Sequence, residues 1–170
     1  MDAYVFIREA EEGALEGLAG KSYGEVRYVA STTGPYLGLA VVTVEGLADL
    51  EELVLKRFRE AGVRATETAV PVLHGPNQIK WLPAAAVEAF VRVWVERGRA
   101  EEVLGAASNL SGALGAAVCA ADFDILLELG GESFDDVAST LLNELHQLPG
   151  VVRTATSLAV GARYAAEDRA

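Results

Sequence analysis

Ala3-Tyr4-Val5-Phe6-Ile7 opens a stretch that closes on Gly62-Val63-Arg64-Ala65-Thr66-Glu67-Thr68, and Ala89-Phe90-Val91-Arg92-Val93 opens a second that closes on Gly150-Val151-Val152-Arg153-Thr154-Ala155-Thr156. Between its ends each carries a turn feeding an aromatic-led apolar run, Gly34-Pro35-Tyr36 in the first and Ala121-Asp122-Phe123 in the second, and then an amphipathic helical stretch. Landmarks in one order at nearly constant separation indicate an internal duplication, in which each unit is a supersecondary module completed by its twin. Gly-Val and Thr-x-Thr pairs also recur by chance in alternating apolar sequence, but chance does not preserve their order and spacing.

Working outward from these ends, 3–8 is short and rich in strand formers, and 9–18 reads as a helix weakened by Gly13 and Gly17. The alternation of Val26, Tyr28 and Ala30 predicts a half-buried strand over 25–31. Gly34-Pro35 breaks it, and the nearly uninterrupted apolar run 36–44 has the character of a central strand. Leu47, Leu50, Val54 and Phe58 recur at helical spacing, Gly62 ends that helix, and 63–73 resumes as a strand. The second stretch repeats the order with a strand at 87–95, a helix at 99–109, strands at 113–120 and 123–129, and a helix striped by Val137, Leu141, Leu145 and Leu148. Ser133 with Asp136 three residues later predicts a capping box at its start, and 151–160 forms the last strand.

Each half therefore reads strand, helix, strand, strand, helix, strand. That is the split arrangement of ferredoxin-like modules, with both crossover helices on one face of a four-stranded antiparallel sheet. The expected fold class is α+β: two tandem ferredoxin-like βαββαβ modules whose bare sheet faces pack together as a pseudo-dimer resembling a dimeric α/β-barrel. The expected boundaries are 1–73 and 87–162, joined by a proline-rich linker at 74–86 that carries Trp81, with a polar tail at 163–170.

Charge and composition exclude several functions. A net charge of −11 opposes phosphate backbones, and Lys56, Arg57, Arg59 and Arg64 lie at a helix end, where they complement its dipole. No direct nucleic-acid binding is expected. One cysteine, Cys119, rules out a disulfide within the chain and is expected to be a small buried hydrophobe. With no basic leader after Met1 and no apolar run of spanning length, a soluble cytoplasmic protein without membrane attachment is expected. His74 and His146 fall in no metal-binding spacing, and no phosphate-binding glycine loop or nucleophile elbow appears, so neither catalytic residues, metal nor cofactor are expected.

The run Asp49-Leu50-Glu51-Glu52-Leu53 through Gly62-Val63-Arg64-Ala65-Thr66-Glu67-Thr68, after Thr33-Gly34-Pro35-Tyr36, resembles the effector-binding domain of the Lrp/AsnC transcription regulators, the regulation-of-amino-acid-metabolism (RAM) domain. Phe123-Asp124-Ile125-Leu126-Leu127 with Leu148-Pro149-Gly150-Val151-Val152-Arg153-Thr154-Ala155-Thr156 resembles it again. Only Met1-Asp2 precedes the first strand, so the expectation is a tandem effector domain without the regulators' helix-turn-helix.

The resemblance implies a small amino acid or related metabolite as ligand. It further implies a homo-oligomer, or a hetero-oligomer with full-length regulators of this type, that modulates transcription through assembly. Carried over by position, the ligand-binding candidates are Thr33, Gly34, Tyr36, Thr66 and Thr68 in the first copy and Asp122, Asp124, Thr154 and Thr156 in the second. Backbone N–H groups of a glycine turn and threonine hydroxyls can hold a zwitterion's carboxylate, and an aspartate its ammonium. The first copy departs from the pattern with Leu37 where the family commonly has an acid, and the second with Ala121 in place of the turn glycine. A composite site pairing the Gly34 loop with an acid of the other copy, and a decayed site that leaves only an assembly surface, both remain open, since strand threonines are favoured by propensity alone. Two alternatives stand beside the sensor: a monooxygenase-like or haem-binding dimeric α/β-barrel, and an ACT-type amino-acid-binding regulatory domain, which Glu12-Gly13-Ala14-Leu15 resembles in its first loop.

Overall fold

Alternation at the start of the chain sets the first sheet: Ala3, Val5 and Ile7 bury among helix residues such as Leu18 and Phe58, while Tyr4 and Phe6 take the other face. The computed structural model describes residues 1–20, 24–76 and 85–165. Its contacts divide the chain into two units, Met1–Val70 with Ala159–Ala170, and Pro71–Leu158.

Unit 1 is built from β1 (Asp2–Ala10), α1 (Ala14–Ala19), β2 (Val26–Thr32), β3 (Gly38–Thr43), a helix beginning as α2 (Leu47–Glu52) and ending as α3 (Phe58–Glu60), and β4 (Val63–His74). β1 is central, antiparallel to β3 on one side and to β4 on the other, and β2 completes the hairpin with β3. Unit 2 repeats the order with β5 (Val87–Val95), α4 (Ala100–Ala107), β6 (Ala113–Ala120), β7 (Ile125–Gly131), α5 (Phe134–Ser139) and β8 (Val151–Ala165), the last of which belongs to unit 1 from Ala159 onward. β5 is central there, between β7 and β8. Each unit is thus a mixed α+β module of ferredoxin-like order with an antiparallel sheet. On the helix-covered faces, unit 1 packs Val5, Val29, Val42 and Leu53, and unit 2 packs Val91, Leu104, Leu127 and Leu145.

Several boundaries differ from those read in the sequence, β3 starting at Gly38 and α4 ending at Ala107 among them, and three of the differences have a visible cause. The helix expected over 9–18 starts only at Ala14, because β1 continues through a bulge to pair Glu9 with Ala65 and Ala10 with Val63, and Gly13 at φ 81° then turns the chain. The last strand runs to Ala165 rather than Val160, and Tyr164 and Ala165 pair with Val29 and Tyr28 of β2, so the first residues of the expected tail are strand. β7 starts at Ile125 rather than Phe123, because Phe123 and Asp124 finish the preceding turn. Trp81 and the linker residues 77–84 lie outside the described residues.

A π-helical turn interrupts the second helix of each unit, at Leu53–Arg57 and at Thr140–Glu144, where a 3₁₀ turn, Leu145–Gln147, follows. The Phe58 N–H bonds to the Leu53 carbonyl and the Leu145 N–H to that of Thr140, which stacks residues five apart on one face. This shifts the expected stripes. Leu50, Leu53 and Phe58 bury while Leu47 is 69% exposed, and Thr140 buries ahead of Leu145. The capping box holds: the Asp136 N–H donates to Ser133 Oγ at 3.2 Å and the Ser133 N–H to Asp136 Oδ2 at 3.0 Å.

Candidate functional site

In unit 1 the turn after β2 closes with the Thr32 N–H donating to the Leu37 carbonyl at 3.0 Å and Thr32 Oγ1 to the Tyr36 carbonyl at 3.2 Å. Gly34 sits at φ 88°, a left-handed conformation that suits glycine, and it is exposed with Thr33 at the loop tip. Tyr36 turns inward. It is buried, its ring lies 4.9 Å from that of Phe6, and its hydroxyl donates to Glu67 Oε2. Arg8 Nε donates to Glu67 Oε1 at 2.6 Å, with the guanidinium 5.2 Å from the Tyr36 ring centre. The residue that meets the turn aromatic is therefore Glu67, between the two expected threonines.

Thr66 and Thr68 pair across the ladder with Ile7 and Val5, and Thr154 and Thr156 with Val93 and Val91. Directly opposed residues share a face, so all four threonines face the helix layer, and neither pair is brought to its unit's turn aromatic. One of them meets a polar partner. His146 Nε2 lies 2.8 Å from Thr154 Oγ1, and a cavity of about 290 Å³ is lined there by His146, Val151, Val152, Arg153 and Thr154.

The turn of unit 2 takes other partners. Asp124 Oδ2 accepts the Val95 N–H at 2.8 Å and the Asp124 N–H donates to the Val93 carbonyl at 3.0 Å, so its carboxylate caps the end of β5. Asp122 is exposed, and its backbone carbonyl accepts from Trp94 Nε1 at 2.7 Å. Trp94 meets Phe123 edge-on at 6.4 Å and carries the Arg153 guanidinium 4.4 Å from its ring centre, within cation–π range.

Sequence reading missed a polar group on the face of unit 2 opposite its helices. Phe90 opposes Glu128 on β7 and Ser157 on β8, and Glu88 and Arg92 stand two residues either side of Phe90 on the same face. Glu88 is 0%, Glu128 1%, Ser157 4% and Arg92 7% exposed. Burial, and then a hydrogen bond with Glu88 and the repulsion of its charge, hold the Glu128 carboxyl well above the usual carboxylate range. The signal was present: charges at 88 and 92 alternate with apolar 89, 91 and 93, and Glu128 is a lone charge in an apolar run. Cys119 is buried, and desolvation pushes its thiol up to about 12, far from an activated nucleophile.

Residues 88–165 match the Lrp/AsnC ligand binding domain. The matched stretch contains β5 through β8, the cavity at His146 and Thr154, and the buried polar group. No curated protein matches the sequence. Among solved structures, the siroheme decarboxylase NirDL in complex with an iron-uroporphyrin III analogue is similar over 95% of this chain and 71% of its own, at 10% identity and a TM-score of 0.70. A putative monooxygenase from Lactobacillus acidophilus NCFM is similar over 96% and 95%, at 9% identity and a TM-score of 0.56. AsnC of E. coli aligns over 67% and 72%, at 14% identity and a TM-score of 0.44. At such identities the first two demonstrate a common fold and nothing of its chemistry. No helix among the described residues is long and apolar enough to cross a membrane.

Proposed function

We propose that this chain is a non-enzymatic sensing module of the Lrp/AsnC effector-domain type. It consists of two tandem domains, residues 1–73 and 87–162, that bind a small amino acid or related metabolite. It modulates transcription in the cytoplasm through its own oligomers or through assembly with full-length regulators, without touching DNA. The observation that carries this reading is the coincidence of a family match to a ligand binding domain at 88–165 with a cavity inside that stretch, at His146 and Thr154. The cavity, about 290 Å³, stands at the small end of ligand pockets, a size suited to a metabolite rather than a large cofactor. Thr154 offers a hydroxyl, and His146 a ring nitrogen whose role follows the tautomer. The net charge of −11 supports a role away from the phosphate backbone.

Titration calorimetry with the common amino acids, together with solution mass measured with and without the ligand, tests this reading. Binding is expected for at least one amino acid, weakened about tenfold or more by Thr154→Val through loss of a hydrogen bond. A folded protein that gives no heat with any of them and keeps one mass throughout overturns it.

A second reading has its own support, the similarity of fold to NirDL and to the putative monooxygenase over nearly the whole chain. Haem-type chemistry would then be expected, and a stoichiometric Soret band on adding haem to the purified protein is its test.

A further inference from the structure

At the end of the β2–β3 hairpin remote from Gly34, unit 1 contains a cavity of about 470 Å³. Its walls include Glu25 and Arg27 from the start of β2, Glu45 before α2, Glu52 from α2, and Leu53 and Arg57, the first and last residues of the π-helical turn. Single π turns are uncommon and gather at functional sites.

Unit 2 has the same frame at this place and fills it. The Thr43 N–H donates to the Glu25 carbonyl at 2.8 Å and the Gly130 N–H to that of Gly112 at 2.8 Å, which makes Gly112 the counterpart of Glu25. A Cβ at Gly112 would stand 2.3 Å from the Gly130 carbonyl oxygen, so no side chain fits there. Thr140 and Glu144, counterparts of Leu53 and Arg57 at the ends of the second π turn, tie the adjacent loop down. Thr140 Oγ1 donates to the Ser111 carbonyl at 2.9 Å, and the Ser111 N–H donates to Glu144 Oε2 at 2.9 Å. Unit 1 replaces these ties with charges around an open space.

The charges define an occupant. Arg57 Nη1 donates to Glu25 Oε1 at 2.6 Å, which neutralises both. The carboxylate of Asp49, which also lines the cavity, accepts the Gly46 N–H at 3.0 Å and is committed to the start of α2. Glu52 reaches only a remote contact with Lys56 at 3.8 Å, with both side chains mostly exposed. Among the described residues this leaves two carboxylates, Glu45 and Glu52, and one guanidinium, Arg27, whose charge also acts on Glu25, to meet a ligand.

We propose that this cavity binds a basic amino acid, or a similarly built ligand of one carboxylate and two cationic groups. The carboxylate meets Arg27, and the two cations meet Glu45 and Glu52, which balances the open charges one for one. This site is separate from the cavity at Thr154 and does not depend on the sensing role proposed above.

Calorimetric titration with L-lysine, norleucine and cadaverine tests it, since norleucine lacks the side-chain amine and cadaverine the carboxylate. L-lysine is expected to bind roughly 10–100-fold more tightly than either, the range for one charge-assisted hydrogen bond. Arg27→Ala is expected to weaken L-lysine by a similar factor and leave cadaverine unchanged, and Glu45→Gln to weaken both. Both positions are exposed, so these variants are expected to fold. The Thr154→Val variant is expected to keep the L-lysine titration, which separates this site from the other. No binding of L-lysine, equal binding of all three compounds, or an unchanged L-lysine titration in Arg27→Ala overturns the proposal.

Discussion

Tyr4 in unit 1 stands between Val41 and Ala69, whereas Phe90, at the matching place in unit 2, stands between Glu128 and Ser157. Phe6 in the first likewise answers to Arg92 in the second, since Val5 pairs with Thr68 and Val91 with Thr156 in equivalent registers. Tyr4, Phe6, Val41, Ala69, Phe90, Arg92, Glu128 and Ser157 are all buried. At these positions one backbone frame therefore carries apolar residues in one unit and charged ones in the other, so strand pairing does not require the charges. They cost desolvation that Val41 and Ala69 never incur.

The largest effect is expected from forcing the first face to imitate the second. Val41→Glu places a carboxyl at a fully buried position beside Tyr4 and Tyr28, without the guanidinium and second carboxyl that unit 2 supplies. A loss of about 3–5 kcal/mol is expected in urea unfolding, the range for an uncompensated buried charge. A loss below about 1 kcal/mol would mean that the two faces do not differ in their tolerance of charge.

The reverse change sharpens the contrast through pH. Because the folded Glu128 carboxyl is held above its unfolded value, the native state keeps a proton that the unfolded chain releases once pH passes the ordinary carboxylate range. Its contribution is fully present below the unfolded pKa and is lost as pH rises through the folded one. The slope for a single proton is at most about −1.4 kcal/mol per pH unit. Glu128→Gln removes that proton. Denaturant midpoints measured from pH 5 to pH 8 should fall more steeply for the parent than for the variant, and parallel profiles would show that the Glu128 carboxyl is not held above its unfolded value. Glu25 and Glu144 act oppositely. Hydrogen bonds from backbone N–H groups, and for Glu25 the Arg57 guanidinium, lower their carboxyls, so their stabilisation is lost as pH falls, and the difference between parent and variant cancels it.

A third effect, smaller again, concerns the π turns. Thr140 in unit 2 donates to the Ser111 carbonyl, while Leu53 at the same place in unit 1 packs into the core. Thr140→Val keeps the shape and removes the donor, and a loss of about 0.5–1.5 kcal/mol is expected in thermal unfolding. A neutral result would mean that the carbonyl finds water, and that the loop is not what closes this part of unit 2.

Much of this frame was legible in the sequence. Strands at 87–95 and 113–120 stand where alternation and apolar runs put them, because a sheet's period of two is written in consecutive residues. The π turns were not legible, since a spacing of 50, 54 and 58 suits an ordinary helix as well as 50, 53 and 58 suits an interrupted one. The grouping of the candidate site residues was only partly legible for a related reason. Two threonines flanking Glu67 look equivalent to it in sequence, but the one-residue step decides the face, and only the register with Val5 and Ile7 sends Glu67 to Tyr36. His146 and Thr154 are eight residues apart, separated by the end of a helix and a turn, and no local pattern announces their contact.

The smallest expected effect tests the comparison where the units differ by one side chain. Ser133 caps α5 with its hydroxyl, while Gly46 at the start of α2 has none to offer, although Asp49 returns the reciprocal bond to the Gly46 N–H as Asp136 does to Ser133. Gly46 does not need to be glycine. Its φ of −160° is extended backbone open to any residue, and a Cβ built there meets nothing within 4 Å. Gly46→Ser should therefore complete the capping box of unit 1 and stabilise it by a few tenths of a kcal/mol, roughly the serine–glycine difference at such positions. Ser133→Gly should cost unit 2 about as much. If the two changes, read by thermal unfolding, prove equal and opposite, the helix starts are interchangeable parts of one design. A destabilising Gly46→Ser would instead mean that the wall of the 470 Å³ cavity beside Glu45 and Asp49 depends on a bare backbone at that turn.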